Sequence, residues 1–254
     1  PWEARDEIVF MARLSETAER YEDMVQYMKR VATMGAELTL DERNLLSVGY
    51  KASVGARRQA WRAVHNMEMR EADRGPEVVE LLRGYRIKIE QELNEKCLDV
   101  LNLLENELVP KASNDEATVF YLKMKGDYHR YLAEFATDDQ QRATTQAAHD
   151  AYEAASKIAD TKLPSTHPIR LGLALNFSVF YYEVYGSPQK ACQLAKSAFE
   201  QAMADKGDLK DDQFKDREQI LQLLRDNLTL WTSDAQAHDG GKPPEQDGTN
   251  VEDL

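Results

Sequence analysis

TLDERNLLSVGYKASVGARRQAWR, residues 39–62, combines a helix-start signal with a long helical period and a stripe of positive charge. Thr39-x-x-Glu42 has the form of a capping box, in which a Thr hydroxyl and a Glu carboxylate satisfy each other's backbone N–H groups at a helix start. Behind it, apolar residues recur at three- and four-residue spacing, the period of a helix with one buried face. Lys51, Arg58 and Arg62 stand at i, i+7 and i+11. At about 100° per residue, they fall within about 40° of one another. A long helix with a stripe of positive charge is therefore expected here.

The same period extends in both directions, and no stretch shows the two-residue alternation of a strand. It predicts helices at about 4–18, 21–34, 41–73, 77–109, 115–136, 139–161, 168–186, 189–205 and 213–234. Gly35, Gly75-Pro76, Pro110, Pro164, Pro168 and Gly186-Ser187-Pro188 fall at the breaks, where helix breakers belong. Consecutive helices joined by short loops favour antiparallel neighbours, so the chain is read as stacked hairpins of an all-α fold. Residues 1–234 form one helical domain in this reading. Residues 235–254, rich in Gly, Pro and acid, form an acidic tail too poor in apolar residues to order itself.

Charge narrows the function. The net charge is -13 and the pI about 4.9, which argues against nucleic acid or anionic lipid as partners, since both need a positive field. No apolar run approaches the ~18 residues of a membrane span. The N-terminal stretch lacks the basic start and apolar core of a signal peptide. Cys97 and Cys192 lie far apart in helical patterns, which favours a reduced intracellular protein over a disulfide.

Against that acidic background, VFYLKMKGDYHRYLAEF, residues 119–135, carries a second cationic face, Lys123 and Arg130, with the Tyr131 hydroxyl beside it. Arg forks match phosphate oxygens, a Lys adds a point charge and a Tyr donates one hydrogen bond. A compact anion is the ligand such a set suits. Asp127 and Glu134, a turn away, are placed to hold the cations in its absence. The competing explanation is ordinary solvated surface charge. Two later helices carry apolar stripes, each interrupted by one Asn. The first has Asn176, Val179 and Glu183 with Leu175 adjacent, and the second has Ile220, Leu223, Asn227, Leu230 and Trp231. Bundle core explains the aliphatic positions equally well, but an Asn amide can also clamp an extended peptide backbone. Two such helices facing two basic helices make an amphipathic groove.

Other classes find little support. There is no Glu-x-x-His pair, nucleophile elbow or phosphate-binding glycine loop, and His65, His129 and His149 do not share ligand spacing. A non-enzyme without metal or cofactor is expected. A tetratricopeptide-type scaffold binding unmodified peptides is the alternative, but it calls for a self-similar period near ~34 residues that the chain lacks.

The stretches 43–62, 119–135, THPIRLGLALNFSVFYYE (166–183) and LLRDNLTLWTSD (223–234) resemble the signature blocks of the 14-3-3 family, in one register from about residue 4 to 234. That resemblance implies nine antiparallel helices in an L-shaped or cup-like protomer, assembled as a homodimer. It implies a non-enzymatic adaptor that binds phosphoserine or phosphothreonine motifs of client proteins, cytoplasmic with reach into the nucleus. It places the phosphate clamp on Lys51, Arg58, Arg130 and Tyr131, with Arg62 and Lys123 in the same basic wall. Asn176, Asn227 and Glu183 would hold the peptide backbone, and Leu175, Val179, Ile220, Leu223, Leu230 and Trp231 the apolar wall. The dimer would pack Leu14, Ala18, Arg20 and Asp23 against Tyr85, Lys88 and Glu92, with Arg20–Glu92 and Asp23–Lys88 as complementary pairs. Heterodimers with paralogues stay open. Ala60 and Ala235 stand where some members carry a hydroxyl residue, and Ser187-Pro188 has the form of a proline-directed kinase site.

Overall fold

The computed structural model describes residues 4–205 and 211–238, and these are all-helical. They form two compact units, divided after Ser113. The first contains α1 (Ala4–Thr17), α2 (Tyr21–Ala32), α3 (Leu40–Arg70) and α4 (Pro76–Leu103), closed by a π turn at Leu104–Leu108 and a 3-10 turn at Val109–Lys111. The second contains α5 (Asp115–Phe135), α6 (Asp138–Lys162), α7 (Pro168–Glu183), α8 (Pro188–Ala204) and α9 (Asp211–His238). Within each unit every helix packs on its chain neighbour, and α1 also meets α3, α5 meets α7, and α7 meets α9. The expected α-helices are all present. Residues 239–254, most of the expected tail, lie outside the described residues, while α9 runs on to His238.

Local sequence accounts for the helix ends. Thr39 and Glu42 form the expected capping box: the Thr hydroxyl accepts from the Glu42 N–H and the Glu carboxylate accepts from the Thr39 N–H at 2.9 Å. Glu42 also takes both forks of Arg5, at 2.9 and 2.6 Å, tying α1 to the start of α3. Gly75 takes φ +104 just before Pro76, a conformation that suits Gly and ends the turn where Pro begins α4. The fourth helix differs from expectation. The α geometry stops at Leu103 and the backbone widens into the π turn, with Val109 N–H bonded to Leu104 O. Pro110 is the physical reason, because its ring crowds the carbonyl four residues back and it brings no N–H.

The first unit is pinned by carboxylates that each serve several donors. Asp99 on α4 accepts from Lys29 on α2 at 2.6 Å and from the buried Tyr50 hydroxyl on α3 at 2.7 Å. Burial and the Asp99 contact push the Tyr50 pKa up, so the hydroxyl stays a donor. Glu22 on α2 accepts from Ser53 and Arg57 on α3 and from Lys96 on α4. Burial pushes the Glu22 carboxyl up, but these three contacts outweigh it and hold the pKa down at about 2, against a usual 4.5.

That depression has a sign. A carboxyl with a lowered folded pKa contributes stability that is complete above its unfolded pKa and lost as the folded pKa is approached. Glu22→Gln should therefore lower the denaturant midpoint at neutral pH. The gap to the parent chain should close between pH 4.5 and about 2, and unfolding curves across that window check it.

Candidate functional site

The two basic stripes lie in different units. In the first, α3 turns Leu46, Gly49, Tyr50, Ser53 and Val54 inward. Lys51, Arg58 and Arg62 lie about 180° from Gly49 and Ser53 by helical geometry. Lys51 is exposed, and Arg58 and Arg62 are half-buried.

In the second unit, the candidate residues of α5 and α7 converge on one carboxylate. Asp127, itself buried, accepts from Lys123 Nζ at 2.9 Å, Tyr152 Oη at 2.5 Å and Asn176 Nδ2 at 2.9 Å. Arg130 Nη2 lies 3.5 Å from Asp127 Oδ1, the oxygen that Tyr152 and Asn176 share, and Arg130 Nε donates to the Tyr152 hydroxyl at 3.1 Å. Lys123, Asp127 and Arg130 stand at i, i+4 and i+7, so one face of α5 carries the whole set. The Arg130 side chain is wholly buried and its guanidinium lies 4.8 Å from the centre of the Tyr131 ring. A buried cation is costly unless paired and hydrogen-bonded, and the Asp127–Tyr152 pair supplies both. Burial raises the Tyr152 pKa well above its ordinary value despite Arg130, so the hydroxyl remains protonated and donates to Asp127.

Tyr152 is the residue the sequence patterns did not flag. It sits on α6 among Ala148, Ala151, Ala155 and Ala159, which make that face flat enough for α5 to come close. Gly126 completes the fit: a Cβ there would lie 2.6 Å from the Tyr152 ring. The lone large polar residue in an alanine stripe was the available signal.

The α7–α9 face behaves differently. Leu175, Val179, Ile220 and Trp231 are buried in a cluster with Ala191, Ala195, Leu221 and Leu224, while Leu223 and Leu230 are half-buried against it. Core packing thus accounts for four of the six expected wall residues, and Leu223 and Leu230 keep partial access. Glu183, the last residue of α7, is exposed. Trp231 stacks on Tyr182 at 4.9 Å, and the Tyr182 hydroxyl donates to Asp234 at 2.6 Å. Asn227 is 5% exposed, yet its Nδ2 has no hydrogen-bond partner among the described residues, nor does Trp231 Nε1. Buried donors in native proteins are nearly always satisfied, so both are exceptions to that rule.

Leu14 and Tyr85 in the first unit are 49% and 58% exposed, large apolar side chains that the described residues leave about half uncovered. Arg20 pairs with Asp23 at 2.5 Å and Glu92 with Arg57 at 3.1 Å. The pairs expected across a dimer therefore require these to exchange.

The family model described as 14-3-3 protein matches residues 11–232. The chain is 55% identical to the 14-3-3-like protein GF14 iota of Arabidopsis thaliana, over 94% of this chain and 89% of that protein. It is 53% identical to the 14-3-3 protein epsilon of Drosophila melanogaster, over 95% of each. It is also 55% identical to Protein BMH1 of Saccharomyces cerevisiae, over 91% of this chain and 87% of that one.

Gly126→Ala tests the close approach behind the Asp127 network. It should destabilise the chain by about 1–3 kcal/mol, the usual cost of overpacking. Gly55→Ala, where a Cβ meets nothing within 4 Å, should be neutral or stabilise by up to about 1 kcal/mol. Denaturant unfolding of both variants gives the comparison, and equal effects would refute the packing argument.

Proposed function

The chain belongs to the 14-3-3 family and is thereby a phosphoserine- and phosphothreonine-binding adaptor rather than an enzyme; from that premise we propose how its own residues do the binding. The phosphate is clamped by Lys51, Arg58, Arg130 and Tyr131, with Arg62 and Lys123 completing the basic wall. A phosphoserine brings about -1.5 to -2 charges and three acceptor oxygens. Two guanidinium forks, an ammonium and a phenol hydroxyl supply matching donors. An unmodified Ser leaves them without an anion, so phosphorylation is the switch. The observation that carries this reading is the Asp127 network. It fixes Lys123, Arg130 and Asn176 before any ligand arrives, so little ordering remains to be done on binding.

Asn176 and Asn227, with Glu183, engage the client backbone. The unsatisfied Asn227 amide supports that role. Leu223 and Leu230 meet client side chains from the apolar side, backed by Leu175, Val179, Ile220 and Trp231. The helical residues act as one module, a reading supported by the matched span 11–232, and the acidic tail follows α9, which carries the helix past the expected boundary at 234 to His238. Clients are phosphoproteins of the cytoplasm and nucleus. Among the described residues no helix is long and apolar enough to cross a membrane. Self-association, and association with paralogues, buries Leu14, Ala18 and Tyr85. Exchange of the Arg20–Asp23 and Arg57–Glu92 pairs gives Arg20–Glu92 and Asp23–Lys88 contacts between subunits. Exposed pairs are worth only ~0–1 kcal/mol each, so the apolar contacts decide stability and the charges choose partners. Two clamps on one dimer raise the avidity for a doubly phosphorylated client by ~10²–10⁴.

A titration of one Arg-x-x-Ser-x-Pro peptide in phosphorylated and unphosphorylated forms tests the clamp. Only the phosphopeptide should bind, and Arg58→Ala should weaken it by about 2 kcal/mol or more. Equal binding of both forms would favour the phosphate-independent scaffold instead. For the dimer, Leu14→Gln with Tyr85→Gln should shift sedimentation from dimer to monomer at micromolar concentration. Phosphopeptide affinity at a single site should stay the same.

A further inference from the structure

Away from the Asp127 network, the second unit holds another concavity. Residues of α6, α7, α8 and the α6–α7 loop line a trough of about 360 Å³, near the lower end of ligand-holding cavities. Its floor is apolar: Leu171, Leu173 and Phe177 are buried, and Ala174 and Leu194 are half-buried. The rim is polar and holds one cation, Arg170, whose side chain is 17% exposed.

Arg170 is fixed but weakly neutralised. Its Nη1 donates to Leu163 O at 2.8 Å and its Nη2 to Gln201 Oε1 at 3.0 Å, which set the plane of the guanidinium. Its carboxylate partner, Asp160, lies at 3.4 Å with a side chain 65% exposed. An ion pair of that kind contributes little and is readily exchanged. A carboxylate arriving with an apolar body gains more, since the body leaves water and covers the accessible parts of Ala174 and Leu194 while its head meets the guanidinium in a drier setting. From Arg170 to Phe177, α7 rises about 10 Å, a length comparable to octanoate. We propose that this trough is a binding site for a small linear aliphatic carboxylate. Its head pairs with Arg170 in place of Asp160 and its chain lies along α7 toward Phe177. None of the residues of the phosphate clamp takes part.

Methyl NMR of the full chain, with the phosphate clamp saturated by phosphopeptide, tests this with octanoate and octan-1-ol as probes. Octanoate should shift the Leu171, Leu173 and Leu194 methyls saturably and bind about tenfold tighter than octan-1-ol. Arg170→Gln should erase that preference. Two changes at exposed positions guard against mere unfolding. Asp160→Asn should tighten octanoate while leaving octan-1-ol unchanged, and Ser197→Phe, at the rim, should weaken both. Non-saturating shifts, equal affinity of the two probes for the parent chain, or indifference to both Asp160→Asn and Ser197→Phe would overturn the proposal. Binding of octanoate only when phosphopeptide is left out would also overturn it, by placing the carboxylate in the clamp.

Discussion

The second unit depends on a single buried carboxylate shared among several donors. Asp127 receives Lys123, Tyr152 and Asn176 and neighbours Arg130, from three helices. An unpaired charge at that depth would be prohibitive, and an unpaired Arg130 equally so. The two solve each other's desolvation, with Tyr152 bridging them. The cost is a strict geometric demand. α5 and α6 must approach closely enough for the Tyr152 hydroxyl to reach α5, and Gly126 permits that approach. Packing of small residues on α6 thus sets the positions of polar groups on α5 and α7.

The first unit repeats the device with other residues. Asp99 and Glu22 each draw donors from neighbouring helices, and Arg57 spans Glu22 and Glu92. In a chain with net charge -13, acids are plentiful enough to order basic side chains. In the proposed clamp, a phosphate would meet Lys123 and Arg130 already held in place, and charge-assisted contacts are strongest where water is scarce.

Much of this was legible in the chain. The helical period, the Thr39–Glu42 capping box and the Gly-Pro punctuation located α3 and its neighbours because each is a local device, readable within one or two turns. The stripe positions Lys51, Arg58, Lys123 and Arg130 follow from angular arithmetic alone. The unread parts are non-local or subtle. The π turn at Leu104–Leu108 depends on how the backbone relieves Pro110. Tyr152 gains its meaning from Asp127, 25 residues earlier and on another helix. The burial of Leu175, Val179, Ile220 and Trp231 is set by how α8 covers α7 and α9, which an apolar stripe does not reveal. Asn227 was legible as an interruption of such a stripe, and the structure adds that its amide has no acceptor among the described residues.

Phosphopeptide affinity of Asp127→Asn tests the organising role of that carboxylate most directly, because two physical arguments predict opposite signs. Simple electrostatics says that removing a negative charge beside a phosphate site should tighten binding. If Asp127 instead positions Lys123, Arg130 and Asn176, the variant should lose stability because Arg130 loses its buried counter-charge, and under conditions where circular dichroism shows it folded it should bind phosphopeptide at least about tenfold more weakly. Unchanged or tighter binding would contradict the account.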